Sequence, residues 1–176
     1  MKKRLSHLLV LISLLLSGSP LYAQTTYHAP AGVTLETGAE CHRHTDDFLK
    51  ATDYLLSSAV DDPGHKEAAA FVLKWLTNSP DVTIHWIDGN AQAKFKNADA
   101  LLLVYMAAYA KYALNTNDSD ESNRNLAGFH EALAYYKNPA FHATRTKRLD
   151  KLVQLQAEGR LDEEVSPLSK LKKMQH

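Results

Sequence analysis

Apolar residues recur at helical spacing through most of this chain. From Thr45 onward, Phe48, Ala51, Leu55, Leu56 and Ala59 fall on one face of a 3.6-residue spiral and predict an amphipathic helix. Asp61-Asp62-Pro63-Gly64 interrupts it. Asp62 suits an N-cap, and Pro63 suits the first helical position, where its missing N–H costs nothing. A second stripe follows with Ala68, Phe71, Val72, Trp75 and Leu76, and stops at Asn78-Ser79-Pro80, because proline disfavours helical geometry in the residue before it. Ala98 to Leu114 is apolar almost throughout, with only Asp99 and Lys111 charged and Asn97 placed to cap it. A helix apolar on all sides belongs at the centre of a fold. The polar stretch Asn115 to Asn123 reads as a loop. Leu126, Phe129, Leu133 and Tyr136 mark a fourth helix ending before Pro139. Leu149, Leu152, Val153 and Leu155 mark a fifth, starting near Thr144 or Thr146 and closed by Gly159.

Residues 82–95 change period. Val82, Ile84 and Trp86 alternate with Thr83 and His85, and Asp88-Gly89 is a two-residue hairpin turn signal. Pairing about that turn sets Trp86 opposite Ala91, Ile84 opposite Ala93 and Val82 opposite Phe95, so that one face is wholly apolar and the other polar. The pattern therefore predicts a mainly α single domain of four to five helices over 37–160, with one small β-hairpin at about 82–95 between the second and third helices. Residues 24–36 form an irregular lead-in, and 161–176 a flexible tail.

The first residues change the picture of where the chain goes. Lys2, Lys3 and Arg4 precede an apolar run from Leu8 to Leu16, then a break at Ser17–Pro20 and a small residue, Ala23. This is the form of a secretory signal peptide over 1–23, cut after Ala23. The run is shorter than the ~20 residues a bilayer span needs, so no membrane span is expected after cleavage. Formal charge is zero with 20 basic and 20 acidic residues. Loss of Lys2, Lys3 and Arg4 leaves 17 basic against 20 acidic, or minus three. No basic surface is concentrated enough for nucleic acid. The expected location is periplasmic or secreted.

The stretches ATDYLLSSAVDDPGHKEAAAFVLKWLTNSPDVTI and NADALLLVYMAAYAKYAL resemble a family of exported bacterial proteins. Its members share a Leu-Lys-Trp-(Leu/Met)-Thr-x-(Ser/Thr)-Pro-Asp core followed by a hairpin. The resemblance covers residues 51–114. It implies a helix–hairpin–helix arrangement and a bacterial envelope location, and it implies no activity and no site residues.

Chemistry-bearing residues gather at Ala39-Glu40-Cys41-His42-Arg43-His44-Thr45-Asp46-Asp47. Cys41 is the one cysteine, so no internal disulfide is available, and free cysteine favours burial. A zinc or copper site would draw on thiolate and imidazole. An extended backbone puts only His42 and His44 on one face, however, and a helix puts only Cys41 and His44 together. Helix signals explain the stretch without a ligand. Thr37 with Glu40 fits a capping box, and Thr45 followed by two acids fits a second start. No nucleophile elbow or zinc-protease motif occurs, and His65 and His130 read as solvated helix residues. Tyr105, Tyr109 and Tyr112, with Tyr135, Tyr136 and Trp86, could line a groove, though core packing is the favoured reading.

The expected function is that of a non-catalytic exported binding or scaffolding protein, with no cofactor, catalytic residue or metal ligand assigned. Its partner is an unknown protein or small molecule of the cell envelope. The alternative is a metal-binding protein or small hydrolase using Cys41 and His44. Export is directly measurable: the intact mass of protein recovered from the periplasm or medium should correspond to a chain beginning at Gln24. A mass that includes residues 1–23 would refute the cleavage.

Overall fold

The apolar stripes become helices where caps and breakers bound them. A computed structural model describes residues 26–84 and 90–165. In chain order the α-helices are α1 (Gly38–Arg43), α2 (Thr45–Ser57), α3 (Pro63–Asn78), α4 (Asn90–Lys94), α5 (Asp99–Thr116), α6 (Glu121–Lys137), α7 (Lys147–Ala157) and α8 (Leu161–Val165). A short 3-10 helix, Pro139–Phe141, follows α6. The Asp62 side chain accepts from the backbone N–H groups of Gly64 and His65 at the head of α3, with Pro63 in the first turn. Asp120 caps α6 through Ser122 N–H, and Thr146 caps α7 through Leu149 N–H. Gly159 has φ 68°, and its N–H donates to the Gln156 carbonyl while the Arg160 N–H donates to that of Leu155. This is a Schellman end, for which glycine is the unstrained choice.

Helix α5 is the centre. It packs most extensively along α6 and also against α2 and α3, which form an antiparallel pair of their own. Leu101, Val104, Tyr105, Ala107, Ala108, Tyr109, Ala110 and Ala113 are all buried, which takes in more than one face of the helix. Helices α7 and α8 also pack on α6 and on each other. Among the described residues no helix is long and apolar enough to cross a membrane.

The mainly α architecture agrees with the sequence pattern, but the β-hairpin over 82–95 is wrong: among the described residues there is no strand. Its second arm is helical, α4. Ala91 and Phe95 are buried, while Ala93, which the hairpin register turned inward with them, is exposed. Positions 91 and 95 are two strand repeats apart but also about one helical turn apart, so alternation alone does not separate the two. The Phe95 N–H donates to the Ala91 carbonyl at 3.0 Å. Ala, Gln and Lys are good helix formers and poor strand formers, and the local sequence Asn-Ala-Gln-Ala-Lys obeys that preference. Trp86 and the Asp88-Gly89 turn lie outside the described residues.

Two further boundaries differ. Asn97 does not cap α5. It takes a left-handed conformation, φ 66°, and Ala98 occupies the cap position without a side-chain bond. The segment expected to be a flexible tail from 161 begins with α8, whose Leu161 and Val165 are buried. The Lys94–Glu164 ion pair links α8 to α4. The lead-in is irregular yet held along α3. The Ala29 N–H donates to Glu67 at 2.8 Å, the Asn78 amide donates to the buried Leu35 carbonyl at 2.6 Å, and Lys74 pairs with Glu36 at 2.5 Å.

The α5–α6 contact depends on close approach at Gly128. A Cβ there would sit 2.8 Å from the Tyr105 ring and 2.9 Å from the Tyr105 carbonyl oxygen. In an open helix, Gly→Ala stabilises by roughly 0.5–1 kcal/mol. Here the sign should reverse. Gly128→Ala is expected to destabilise by about 1–3 kcal/mol through overpacking, read as a lower midpoint in urea denaturation.

Candidate functional site

The Cys41 stretch resolves into a junction between two helices. Thr37 caps α1: its hydroxyl accepts from the Glu40 N–H, and Glu40 reaches back to the Thr37 N–H, completing the capping box. Glu40 also accepts from the Glu36 N–H at 2.8 Å and from the Thr34 hydroxyl at 2.6 Å. Led by the Thr34 hydrogen bond, these donors hold its carboxyl down to about 2. A carboxylate held down in the fold stabilises it above the ordinary pKa of 4.5, and that contribution is lost as pH falls toward about 2.

Helix α1 ends at His44, whose φ of −108° and ψ of 24° leave the spiral, and α2 begins at Thr45. The two starts, read from sequence as alternatives, therefore both occur. Thr45 is not the cap, however. It is the first helical residue, and its hydroxyl donates back to the His42 carbonyl at 2.9 Å. Cys41 is fully buried and Phe48 lies with it in the core. The Trp75 indole N–H donates to the Cys41 carbonyl at 2.8 Å, and its ring stacks on Phe48 at 3.9 Å. Burial first, then the nearby charges of Glu40 and Asp81, pushes the Cys41 thiol up and away from thiolate.

The two histidines leave in other directions. The His42 Nδ1 lies 2.9 Å from Asp81, just beyond α3, and the His44 Nδ1 lies 2.9 Å from Asp47, one turn into α2. The His44 contact is the main cause of a lowered Asp47 pKa. Cys41, His42 and His44 thus serve three different neighbours. Among the described residues no group of three or more His, Cys, Asp and Glu side chains is placed to hold a metal ion.

His130 is exposed, as expected, beside Gln156. His65 is not the solvated helix residue its sequence context suggested. It is 5% exposed, and its Nδ1 shares a 2.9 Å hydrogen bond with the hydroxyl of Ser58, itself buried. Tyr135 of α6 donates to the Ser58 carbonyl at 2.7 Å. A signal for this was present: His65, Ala68, Val72 and Trp75 extend the buried stripe of α3 back by one turn. Of the tyrosines, Tyr105, Tyr109, Tyr135 and Tyr136 are core residues, and Tyr112 stands at a surface groove, its hydroxyl donating to Asp118.

That groove lies between α2, α5 and α6 and encloses about 290 Å³. Leu56, Ala108 and Ala127 supply its apolar lining, and Lys111, Tyr112 and His130 supply polar groups. Lys111 pairs with Asp53 at 2.5 Å. A second groove of about 420 Å³ runs between the C-terminal half of α3 and Met106 of α5, lined by Leu76, Val82, Ile84 and the half-exposed Leu73. Comparison of the chain with models of protein families, with curated proteins and with solved structures finds no match.

A sealed, protonated thiol should be chemically silent. Ellman's reagent is expected to label native Cys41 only as fast as the protein opens, and at once in denaturant. Metal analysis of protein purified without a histidine tag is expected to show no zinc or copper that disappears in Cys41→Ala. Fast native labelling, or stoichiometric metal lost in that variant, would refute this account of Cys41.

Proposed function

We propose that this chain is a non-catalytic binding or scaffolding protein of the bacterial cell envelope, exported by its first 23 residues. The observation that carries the binding reading is the groove between α2, α5 and α6. It has an apolar lining with a cation, a phenol and an imidazole among its residues, set on three packed helices rather than on loops. Its volume stands at the small end of the roughly 300–1,000 Å³ typical of ligand sites, which suits a small amphipathic molecule or one anchoring side chain of a partner. The support is also chemical. Cys41 and the histidines beside it are committed to capping, core packing and carboxylate contacts, so their conformations are explained by the fold itself.

The test is a fragment library screened by amide chemical-shift perturbation on the isotopically labelled protein. Shifts are expected to cluster at Ala108, Lys111, Ala127 and His130, and to vanish in Ala127→Trp, which fills the groove. A library whose hits leave those residues unmoved would count against the groove. Hydrolytic turnover that disappears in both Cys41→Ala and His44→Ala would replace this reading with an enzymatic one.

A further inference from the structure

The turn between α2 and α3 is tied to the rest of the molecule at one sealed corner. Ser58 and His65 bond to each other across the turn, both buried. The Ser58 carbonyl accepts the Tyr135 hydroxyl of α6, and the Val60 N–H donates to the Phe141 carbonyl of the 3-10 helix at 3.1 Å. The Phe141 ring packs on Tyr135 at 4.6 Å, and the Tyr135 ring lies 6.1 Å from His65. The bonds from turn to α6 and 3-10 helix thus cluster around one imidazole.

We propose that the Ser58–His65 bond is a proton-sensitive latch: protonation of His65 frees the α2–α3 turn from α6 and the 3-10 helix.

His65 stands in the first turn of α3, at the positive end of the helix, where a cation is disfavoured. Its ring is sealed among Ser58 and Tyr135, so the charged form cannot keep its hydration without the corner opening. The charged and titratable groups around it do not remove that cost. Asp62 is the one carboxylate acting directly on His65, and its Oδ1 already accepts from the N–H groups of Gly64 and His65 and from the Tyr54 hydroxyl of α2. Asp61 on the turn faces His142 beyond the 3-10 helix at 3.0 Å. Glu67 of α3 is engaged by His28 and Ala29 of the lead-in. Tyr54 and Tyr135 are themselves pushed up by burial and remain neutral phenols. The Ser58 backbone and Asp62 both favour the charged imidazole, but burial outweighs them and lowers its affinity for a proton below the ordinary value near 6.5.

The sign follows. The folded latch binds fewer protons than the open state just below pH 6.5, so closure is complete above that value and weakens as pH falls through the window beneath it. Each unit by which the imidazole is held down corresponds to up to about tenfold in the opening equilibrium.

Hydrogen–deuterium exchange between about pH 7.5 and about pH 5, corrected for the intrinsic rate, tests the latch. Protection of residues 58–65 and 139–142 is expected to drop severalfold on acidification, while α5 keeps its own. His65→Asn, whose amide takes the place of Nδ1 without titrating, should abolish the change. Side-chain NMR of the wild-type protein should show the His65 ring titrating below 6.5, a readout that does not depend on any variant folding. A ring titrating at or above 6.5, or acid-driven opening that persists in His65→Asn, would overturn the proposal.

Discussion

Burial of helix α5 on more than one side is the constraint on which the other contacts rest. A helix whose residues from Leu101 to Ala113 are mostly apolar cannot face water over a broad surface, and it must be enclosed by neighbours. Helix α6 takes one flank at close range, made possible where Gly128 admits the Tyr105 ring, and the α2–α3 pair takes another. Phe95, Tyr105 and Phe129 then meet with ring centroids 4.9–5.5 Å apart, and so bring the end of α4 into the same core. The surface groove is a by-product of this enclosure. Leu56 of α2, Ala108 of α5 and Ala127 of α6 line it.

The second organising contact is Trp75. Its ring stacks on Phe48 of α2, while its indole N–H satisfies the Cys41 carbonyl at the end of α1. That carbonyl also accepts the His44 N–H at 3.0 Å, so the oxygen at the helix end takes one backbone donor and one side-chain donor. The break at His44 turns the chain from α1 into α2 and separates the reactive residue types. Cys41 goes into the core, and each histidine finds a carboxylate nearby. A sequence cluster of thiol and imidazole thereby becomes three unconnected structural roles.

Much of this was legible in the chain. The Asp62-Pro63 start of α3, the Thr37–Glu40 capping box, the all-apolar α5 and the ends at Asn78 and Gly159 each rest on local chemistry acting within a few residues. The helix at Asn90–Lys94 was missed because the apolar positions 91 and 95 suit both periods; its helix-forming residues, the exposed Ala93 and the Phe95–Ala91 backbone bond tell the two apart. His65 was misread for a related reason. A polar residue interrupts an apolar stripe in the sequence, and its acceptance into the core depends on Ser58, seven positions earlier, and Tyr135, seventy residues away.

The sequence by itself determined the five longer helices and several of their caps, because hydrogen bonds to the first turn and apolar periodicity are set by neighbours one or two turns apart. Tertiary structure decided what those local rules leave open. It settled where the Cys41 thiol goes, and whether a histidine at the head of α3 meets water or serine. Each of those outcomes depends on desolvation by residues distant in the chain, and the free energy of removing a group from water is not defined until its covering partners are in place.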